Sequence, residues 1–488
     1  MLSYLKLSKF FLYLTVFSLL VITSSTLFPF ITGKYIFFRL AVELSLIFFL
    51  LAWGFQPGLN LKPRLVKAFN QPLVIIISLF VLAFVLSAVL AVDAKAAFWS
   101  NYERGDGGFQ MIHYFIFFLL LVLLFEKEED WRRLFIVSLI VAGLSILYGL
   151  AAALHWQGFL GTGICDRFQA TLGNPSYVAI YMIFSLFYLL WLWLSAKKNW
   201  LRNLMFGSFL LVLLFIFLLT QTRGAFLGLG VGLFLGLIYL LIILPAGLTR
   251  RLTAAALVFL IFLGGLAFFF NKSNKSLALV PFCPSSSRLL ELTVSGGSLE
   301  TRFWTWGSAI QGFKERPILG WGPENFSLIF DKYFNTGHFK VGQPSETWFD
   351  RAHSVFFDYL AETGIIGLLA YLGIFAVFYL QFFKKTLVNV DKKLIYAAKN
   401  KKSVQISLNP EGVALRRPYG AGPYQSAWQR ALLFSLPIIY LVQALVLFDI
   451  LPVYLNLFLF FAFAIFLFNT LEQVNVRPSS NLSYSKLK

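Results

Sequence analysis

Long apolar stretches separated by short polar segments dominate this chain. A membrane-spanning helix needs about 20 consecutive apolar residues, and an open strand edge cannot be left unpaired in lipid. The pattern therefore predicts an all-α, polytopic integral membrane protein with about twelve transmembrane helices. We expect the first stretch to be a retained anchor, because its apolar run is longer than that of a signal peptide. The predicted spans are Phe10–Phe30, Ile36–Phe55, Leu73–Ala91, Ile112–Phe125, Leu134–Leu154, Pro175–Ala196, Leu204–Leu219, Ala225–Pro245, Leu252–Phe270, Val355–Phe383, Ala431–Phe448 and Val453–Phe468.

The cationic residues between the predicted spans indicate the orientation, because short cytoplasmic loops carry an excess of Lys and Arg. One set of alternate loops carries eleven: Lys62, Arg64, Lys67, Lys127, Arg132, Arg133, Lys197, Lys198, Arg202, Arg250 and Arg251. The other set carries five: Lys34, Lys95, Arg104, Arg167 and Arg223. The first set is therefore predicted to be cytoplasmic. Both termini are then inside, and the large loop between the ninth and tenth helices is extracytoplasmic.

Composition supports a membrane protein. Of 488 residues, 59% are hydrophobic and 13% charged, whereas soluble globular proteins have roughly 45–50% and about 25%. This excludes a soluble enzyme, a disordered chain and a secreted disulfide scaffold. The net charge of +19 lies mostly on the predicted cytoplasmic face, near anionic lipid. No aromatic–basic platform for nucleic acid is evident, so membrane lipid is an expected partner and nucleic acid is not. Cys165 and Cys283 permit one disulfide on the oxidising side, and their pairing is left open.

Two arginines are predicted to lie at the outer membrane boundary. Arg223 stands in a polar turn between two predicted spans. Arg302 lies at the edge of a predicted amphipathic helix that ends at Pro317, with an apolar face of Phe303, Trp306, Ile310 and Phe313. An arginine at this depth either snorkels to the interface or binds an anionic headgroup, because a guanidinium forms paired hydrogen bonds to phosphate oxygens. Both interpretations remain open from the residues alone.

His353 is predicted to lie at the N-terminus of a long helix. The helix macrodipole disfavours an added proton there, and nearby arginines act in the same direction. Both effects favour neutral imidazole, the form that a general base needs. A lone histidine at a helix start is also an ordinary cap or interfacial residue. Asp358 and Glu362 follow on one helix face, where they are expected to pair with an arginine, to orient the histidine or to form an intramembrane ion pair.

The outer loops lack the short motifs of metal and nucleotide sites. They contain no Asp-x-Asp pair, no His-x-x-x-His and no Cys-x-x-Cys, and the chain has no Walker-type or Rossmann glycine loop. We therefore expect no metal and no cofactor. Any donor energy is expected to reside in a lipid-linked substrate.

Several motifs, in their order along the chain, resemble the O-antigen ligase / O-antigen polymerase superfamily. The resemblance covers residues 167–372, and Ser354 stands where the family often has asparagine. The motifs are Leu172-Gly-Asn-Pro-Ser-Tyr177, Thr222-Arg-Gly-Ala225, Arg302-x-Trp304, Pro317-Ile-Leu-Gly-Trp-Gly-Pro-Glu-Asn-Phe326, Ala352-His-Ser354 and Glu362-Thr-Gly-Ile-Ile-Gly367.

The resemblance implies an inverting, metal-independent membrane glycosyltransferase of surface polysaccharide or lipopolysaccharide biosynthesis. Such an enzyme moves a glycan from undecaprenyl diphosphate to an acceptor hydroxyl on the extracytoplasmic face of the inner (plasma) membrane. Its partners would be a lipid-linked oligosaccharide donor and a glycan, glycolipid or protein acceptor. By carry-over, Arg223 and Arg302 would bind the donor diphosphate, and His353 would be the catalytic base. Further candidates at the same surface are Arg104, Arg167 and Arg351.

The implied organisation has five parts. These are N-terminal transmembrane helices (1–166), a ligase-like core (167–372) with the extracytoplasmic loop 271–353, a basic cytoplasmic loop (384–430), C-terminal transmembrane helices (431–468) and a cytoplasmic tail (469–488). The motifs do not separate ligase, polymerase and protein O-glycosylation. A rival is a transporter of a small anion or solute, which would place charges at the membrane midplane. A scaffold without chemistry is a second rival.

Overall fold

The computed structural model describes residues 3–56, 61–101, 104–197, 199–272, 283, 298–339, 348–399 and 426–476. Within these residues the long elements are all helices, joined by short 3-10 segments. In chain order they are α1 Tyr4–Leu14, α2 Thr32–Phe55, α3 Lys62–Phe69, α4 Pro72–Val89, α5 Ala94–Trp99, α6 Gly108–Leu124, α7 Glu128–Ala153, α8 Pro175–Ser195, α9 Trp200–Leu219, α10 Arg223–Ile243, α11 Leu248–Lys272, α12 Ser298–Glu315, α13 Phe326–Lys332, α14 Val355–Glu362, α15 Gly364–Lys399, α16 Ala427–Ala444 and α17 Leu451–Val476.

Nine helices in the described part of the chain are long and apolar enough to cross a membrane: α2, α4, α7, α8, α9, α10, α11, α15 and α17. They confirm an all-α, polytopic membrane protein, but they do not confirm twelve spans. The predicted span Phe10–Phe30 is divided, because α1 gives way to a 3-10 segment that ends at Leu20. The predicted spans Ile112–Phe125 and Ala431–Phe448 correspond to α6 and α16. The first has 17 residues, and the second carries Pro437 and polar side chains.

Two central helices, α8 and α17, organise the core. Of their most apolar windows, 78% and 94% of the residues are buried, and α17 packs against α6, α8 and α15. Helix α10 lies close against α16 because glycines of α10 face α16. A Cβ at Gly228 would lie 2.6 Å from the carbonyl oxygen of Ile439, and one at Gly232 would lie 2.2 Å from its side chain. Glycines four residues apart thus permit close helix packing without bulky side chains.

The predicted span Val355–Phe383 is broken. It divides into α14 and α15 at Gly364, whose φ is +63°. The backbone groups freed by the break pair with the segment 317–322: Trp321 N–H donates to the Ala361 carbonyl (3.0 Å), and Ile365 N–H donates to the Pro317 carbonyl (2.8 Å). Non-helical backbone at membrane depth is tolerated only where its polar groups are satisfied within protein. The Pro317–Phe326 motif therefore completes the broken helix.

Helices α12, α13 and α14 form a small cap with its own core. The predicted amphipathic helix is present as α12, and Trp306 of its predicted apolar face packs against the core of the cap. Phe303 and Ile310 are exposed, whereas Ala309 packs in a core with Phe326 and Ile329. Small residues face the cap because α13 lies close to α12: a Cβ at Gly312 would lie 2.5 Å from Ile329.

A disulfide joins Cys165 to Cys283, across 118 residues of sequence. It ties the loop before α8 to the loop between α11 and α12. The neighbours of Cys283 lie outside the described residues. So does most of the predicted basic loop 384–430, whose first residues continue α15 as far as Lys399. The predicted tail 469–488 begins within α17, which continues to Val476.

Candidate functional site

His353 lies where the connection from the cap enters α14. Its backbone is left-handed (φ 55°), and its Nδ1 lies 3.2 Å from the carbonyl oxygen of Arg351. Because a carbonyl only accepts, Nδ1 carries the proton and Nε2 is the basic nitrogen. Phe349 and Phe448 pack edge-on against the imidazole at 5.1 and 5.3 Å between ring centroids. The Arg351 carbonyl thus selects one tautomer, and the two aromatic rings hold the imidazole in one orientation.

The surroundings of His353 keep it neutral. Burial lowers its pKa from 6.5 to about 4, and the positive charges of Arg302 and Arg104 act in the same direction. The hydrogen bond to Arg351 and the carboxylate of Asp350 oppose them but do not prevail. The charge reasoning from the sequence therefore has the correct sign, and burial, which the sequence did not reveal, is the larger cause.

Arg302 is brought to His353 by α12. One turn farther along this helix, the indole N–H of Trp306 donates to the Ala352 carbonyl at 3.0 Å. The same indole stacks on Phe357 of α14, with ring centroids 4.8 Å apart. Residues four apart share a helix face, so these contacts turn the Arg302 face of α12 towards the segment that carries His353.

Arg223 is the first residue of α10, and it approaches the same surface through the α16–α17 connection. A Cβ on Gly224 would lie 2.6 Å from Val446. The next residues of that connection are Leu447, whose carbonyl accepts from Val355 N–H at 3.0 Å, and Phe448, which packs on His353. The start of α10 therefore touches Val446, and two residues later in the same connection Phe448 contacts the imidazole.

Arg104 is tied to the segment before His353. Its Nε and Nη2 donate to the two carboxylate oxygens of Asp350 at 2.7 and 2.8 Å, and its guanidinium lies 5.0 Å from the centroid of Phe448. A paired arrangement of this kind fixes geometry as well as charge. Arg104 thus joins the loop before α6 to the loop that leads into α14.

Arg351 is buried inside the cap. Its guanidinium donates to both oxygens of Glu362 at 3.0 and 3.3 Å and to Glu324. Although burial alone would lower the pKa of Arg351, these carboxylates raise it well above its ordinary value. Of the predicted alternatives, the pairing of Glu362 with an arginine is confirmed, while Asp358 accepts from the backbone N–H of Ala352 at 2.7 Å.

Arg167 lies beside the turn that carries Arg223. Its carbonyl accepts from the Thr162 hydroxyl at 3.1 Å. Around it, the Phe168 N–H donates to the Leu219 carbonyl at 3.1 Å, and the Gln221 side chain donates to the Cys165 carbonyl at 3.0 Å. The loop anchored by the disulfide therefore packs against the end of α9.

Three residues of this cluster were not predicted. Phe448 contacts His353, Arg104 and, at 5.8 Å, Arg351, but the sequence offers no signal that separates it from 56 other phenylalanines. Asp350 and Glu324 pair with the two arginines. The chain has only 22 Asp and Glu residues. A carboxylate close to the candidate arginines in sequence could therefore have been chosen as a possible partner. Within the described residues, no group of three or more His, Cys, Asp or Glu side chains is placed to hold a metal ion.

Comparison with known proteins gives two findings. The sequence model of the family described as O-Antigen ligase matches residues 206–372, which include Arg223, Arg302 and His353. The chain is also 25% identical over 263 residues to the ComP-specific O-oligosaccharyltransferase of Acinetobacter baylyi. That match covers 52% of this chain and 44% of the relative, so it spans less than half the relative's length. The segment 206–372 of this chain is therefore similar to the O-antigen ligase family.

Proposed function

We propose that the protein is a membrane glycosyltransferase that moves a glycan from undecaprenyl diphosphate to an acceptor hydroxyl on the extracytoplasmic face. The observation that carries this proposal is a neutral histidine held in one tautomer within a cationic pocket: the His353 Nδ1 bonds to the Arg351 carbonyl, and its pKa is about 4. The match of residues 206–372 to the O-antigen ligase family and the name of the relative, an O-oligosaccharyltransferase, support transfer of an oligosaccharide to an oxygen.

The proposed donor site uses Arg223 and Arg302. A diphosphate carries about two negative charges, and its polyprenyl tail keeps it at the lipid–water boundary. Guanidinium groups bind phosphate oxygens in pairs. Their main contribution is to stabilise the charge that develops on the departing diphosphate, in a site fixed before the reaction begins. In this proposal the arginines supply the charge that a metal ion supplies elsewhere, so the reaction is metal-independent.

The proposed chemical step is a direct displacement. The acceptor hydroxyl gives its proton to His353 Nε2, and its oxygen forms a bond to the anomeric carbon of the donor sugar. The bond from that carbon to the diphosphate oxygen breaks, and undecaprenyl diphosphate leaves with the electron pair. Attack opposite the leaving group inverts the anomeric configuration. Arg351 and Asp350 do not touch substrate here and serve as positioning residues for the imidazole.

The test uses purified protein in liposomes, undecaprenyl-diphosphate-linked glycan from the source cell and a chelator. His353→Ala should lose transfer by about 10²–10⁴-fold, the usual effect of removing a general base. His155→Ala is the matched control, because His155 is exposed and has the same left-handed backbone (φ 58°). Wild-type-like transfer by His353→Ala would remove the histidine from the mechanism, and loss of wild-type activity on chelation would overturn the metal-free step.

A second variant tests the diphosphate site. Arg223→Lys keeps the charge but loses the planar pair of donors, so we expect a severe loss of transfer. Arg316→Lys, at an exposed arginine directly after α12, serves as the control. Equal activities of the two variants would contradict a paired arginine–phosphate contact.

A further inference from the structure

A cavity of about 230 Å³ adjoins the His353 cluster. Arg104 and Tyr177 belong to its wall, and both contact Phe448, Tyr177 with ring centroids 6.0 Å apart. Since Phe448 also packs on His353, one ring separates the cavity from the imidazole. The volume is below the roughly 300–1,000 Å³ typical of sites for drug-sized ligands, so the cavity suits one small ring.

Three buried polar side chains line this cavity. Lys34, 3% exposed, donates to the Val21 carbonyl at 2.5 Å and forms no ion pair within the described residues. Asp106, 5% exposed, accepts from the Tyr114 hydroxyl at 2.9 Å. The Tyr177 hydroxyl is buried and has no hydrogen-bond partner in the part of the chain that the structure describes. Buried polar groups are normally hydrogen-bonded, so the unpartnered Tyr177 hydroxyl beside a cavity indicates a ligand that bonds to it.

The family-like motif Leu172–Tyr177 builds this wall. Gly173 has a φ of +68°, and a Cβ there would lie 2.5 Å from Phe30, so the turn requires glycine. The Asn174 side chain then accepts from Ser176 N–H at 2.8 Å and caps α8. This fixes Tyr177 in the first turn of the helix. The motif thus positions a cavity residue, a role that the diphosphate and base assignments do not explain.

The rest of the wall is apolar and partly aromatic, with Phe28, Phe30, Leu451 and Pro452. A sugar ring matches both kinds of surface: its hydroxyls donate and accept hydrogen bonds, and its C–H faces pack on apolar rings. The wall carries the Lys34 ammonium, the Asp106 carboxyl group and the Arg104 guanidinium. Because Arg104 is already paired with Asp350, the remaining ammonium and carboxyl group together favour a neutral ligand over a strongly charged one.

We propose that this cavity binds one neutral sugar ring of a glycan substrate, with Lys34 and Tyr177 donating to its hydroxyls and Asp106 accepting from one. The proposal rests on the proposed glycosyl transfer, because it places the ring beside the base. The ring belongs either to the donor glycan or to the acceptor. The chemistry of recognition is the same in both cases.

The first arm of the test measures binding alone. Methyl glycosides of glucose, galactose and N-acetylglucosamine are titrated into the full chain in lipid nanodiscs and followed by saturation-transfer NMR. Tyr177→Phe should weaken binding by about 3- to 10-fold, as expected for one hydrogen bond. The matched control is Tyr181→Phe, one turn along α8, where the hydroxyl donates to the Ser138 carbonyl at 3.3 Å. Lys34→Met should weaken binding similarly, while Arg316→Lys, at an exposed arginine outside the cavity, should leave it unchanged.

The outcomes are decisive in both directions. Failure of all three glycosides to bind, or equal binding by Tyr177→Phe and Tyr181→Phe, would overturn the proposal. Displacement of the sugar by inorganic phosphate at low concentration would overturn the neutral-ring assignment. Because the probes carry no diphosphate, absence of transferase activity would refute the proposed function while leaving this binding result intact.

The second arm identifies the source of the ring. The KM of Tyr177→Phe is measured separately for the undecaprenyl-diphosphate-linked donor and for the acceptor glycan. A rise for the donor alone assigns the ring to the donor, and a rise for the acceptor alone assigns it to the acceptor. No change in either KM, despite weaker glycoside binding, would remove the cavity from the substrate site.

Discussion

Replacing Asp350 by asparagine tests what Arg104 does. Arg104 either anchors the segment before His353 or binds the donor diphosphate directly. The carboxylate accepts two bonds from Arg104, at 2.7 and 2.8 Å, and the two side chains are 17% and 19% exposed. The pair is therefore intermediate between two known cases. A surface ion pair stabilises a protein by about 0–1 kcal/mol, and removing one partner of a fully buried pair destabilises it by about 3–5 kcal/mol. We expect Asp350→Asn to lower the free energy of unfolding by about 1.5–3 kcal/mol.

The Asp350→Asn variant should also slow glycan transfer, because Asp350 lies close to His353 in the sequence. Asp350 precedes His353 by three residues, so a loosened segment displaces the imidazole, and a displacement of about 1 Å can cost ~10² in rate. The assay compares kcat/KM for wild type, Asp350→Asn, Arg104→Gln and the double variant. If Arg104 acts only as an anchor, the double variant is no slower than either single variant. This corresponds to a coupling energy of about 1.5–3 kcal/mol.

Additive losses would refute this reasoning. In that case Arg104→Gln would slow transfer as much in the Asp350→Asn background as in the wild type, which is the behaviour of a direct diphosphate ligand. The control is Arg133→Gln on α7, where Glu129 and Arg133 are 49% and 62% exposed. This variant should change neither stability nor transfer appreciably.

Four further outcomes are expected. Transfer should stay constant from neutral pH downward and halve near pH 4, because His353 loses its basic nitrogen only on protonation at its lowered pKa; half-activity near 6.5 in the pH–rate profile would contradict its burial. Glu362→Ala should destabilise the protein by about 3–5 kcal/mol in thermal unfolding, because it leaves buried Arg351 short of a partner, whereas Glu315→Ala breaks only exposed contacts with Lys332 and Tyr333. Unreduced, denatured protein should show no free thiol, and Cys283→Ser should lower the melting temperature because an open 118-residue connection gains entropy when unfolded; a thiol count of two would exclude the bridge. Ser298→Cys should react with a membrane-impermeant reagent in intact cells if the outer cap is extracytoplasmic, and labelling only after membrane disruption would reverse the proposed topology.

Hydropathy predicted the long membrane helices well because lipid demands apolar side chains along a full span. It did not predict the break at Gly364, since the apolar run continues through it. The break depends on backbone pairing with a segment more than 40 residues earlier, which no local pattern records. The burial of Ala309 and Gly312 on α12 was not predicted for a related reason. They are buried because another helix needs room, and their small side chains carry little hydrophobic signal.

The candidate site divides in the same way. Residue type and motif order were enough to select Arg223, Arg302 and His353, and the structure brings Arg302 to His353 and Arg223 to the connection that carries Phe448. The roles assigned to them remain predictions. The sequence could not show which arginines are engaged by carboxylates, because Arg104 meets Asp350, and Arg351 meets Glu324 and Glu362, only after folding.

The paired segments 317–322 and 361–366 restrict how relatives of this protein can exchange parts. Each segment satisfies the other's backbone groups, and at their crossing a Cβ on Gly320 would lie 2.4 Å from the backbone of Glu362. The Ser87 hydroxyl of α4 fastens the crossing by donating to the carbonyls of Leu319 and Glu362. A chimaera that takes the loop containing residues 317–322 from one parent and residues 361–366 from another would pair two segments that do not come from the same protein. Chimaeras built to exchange specificity should therefore inherit both segments from one parent.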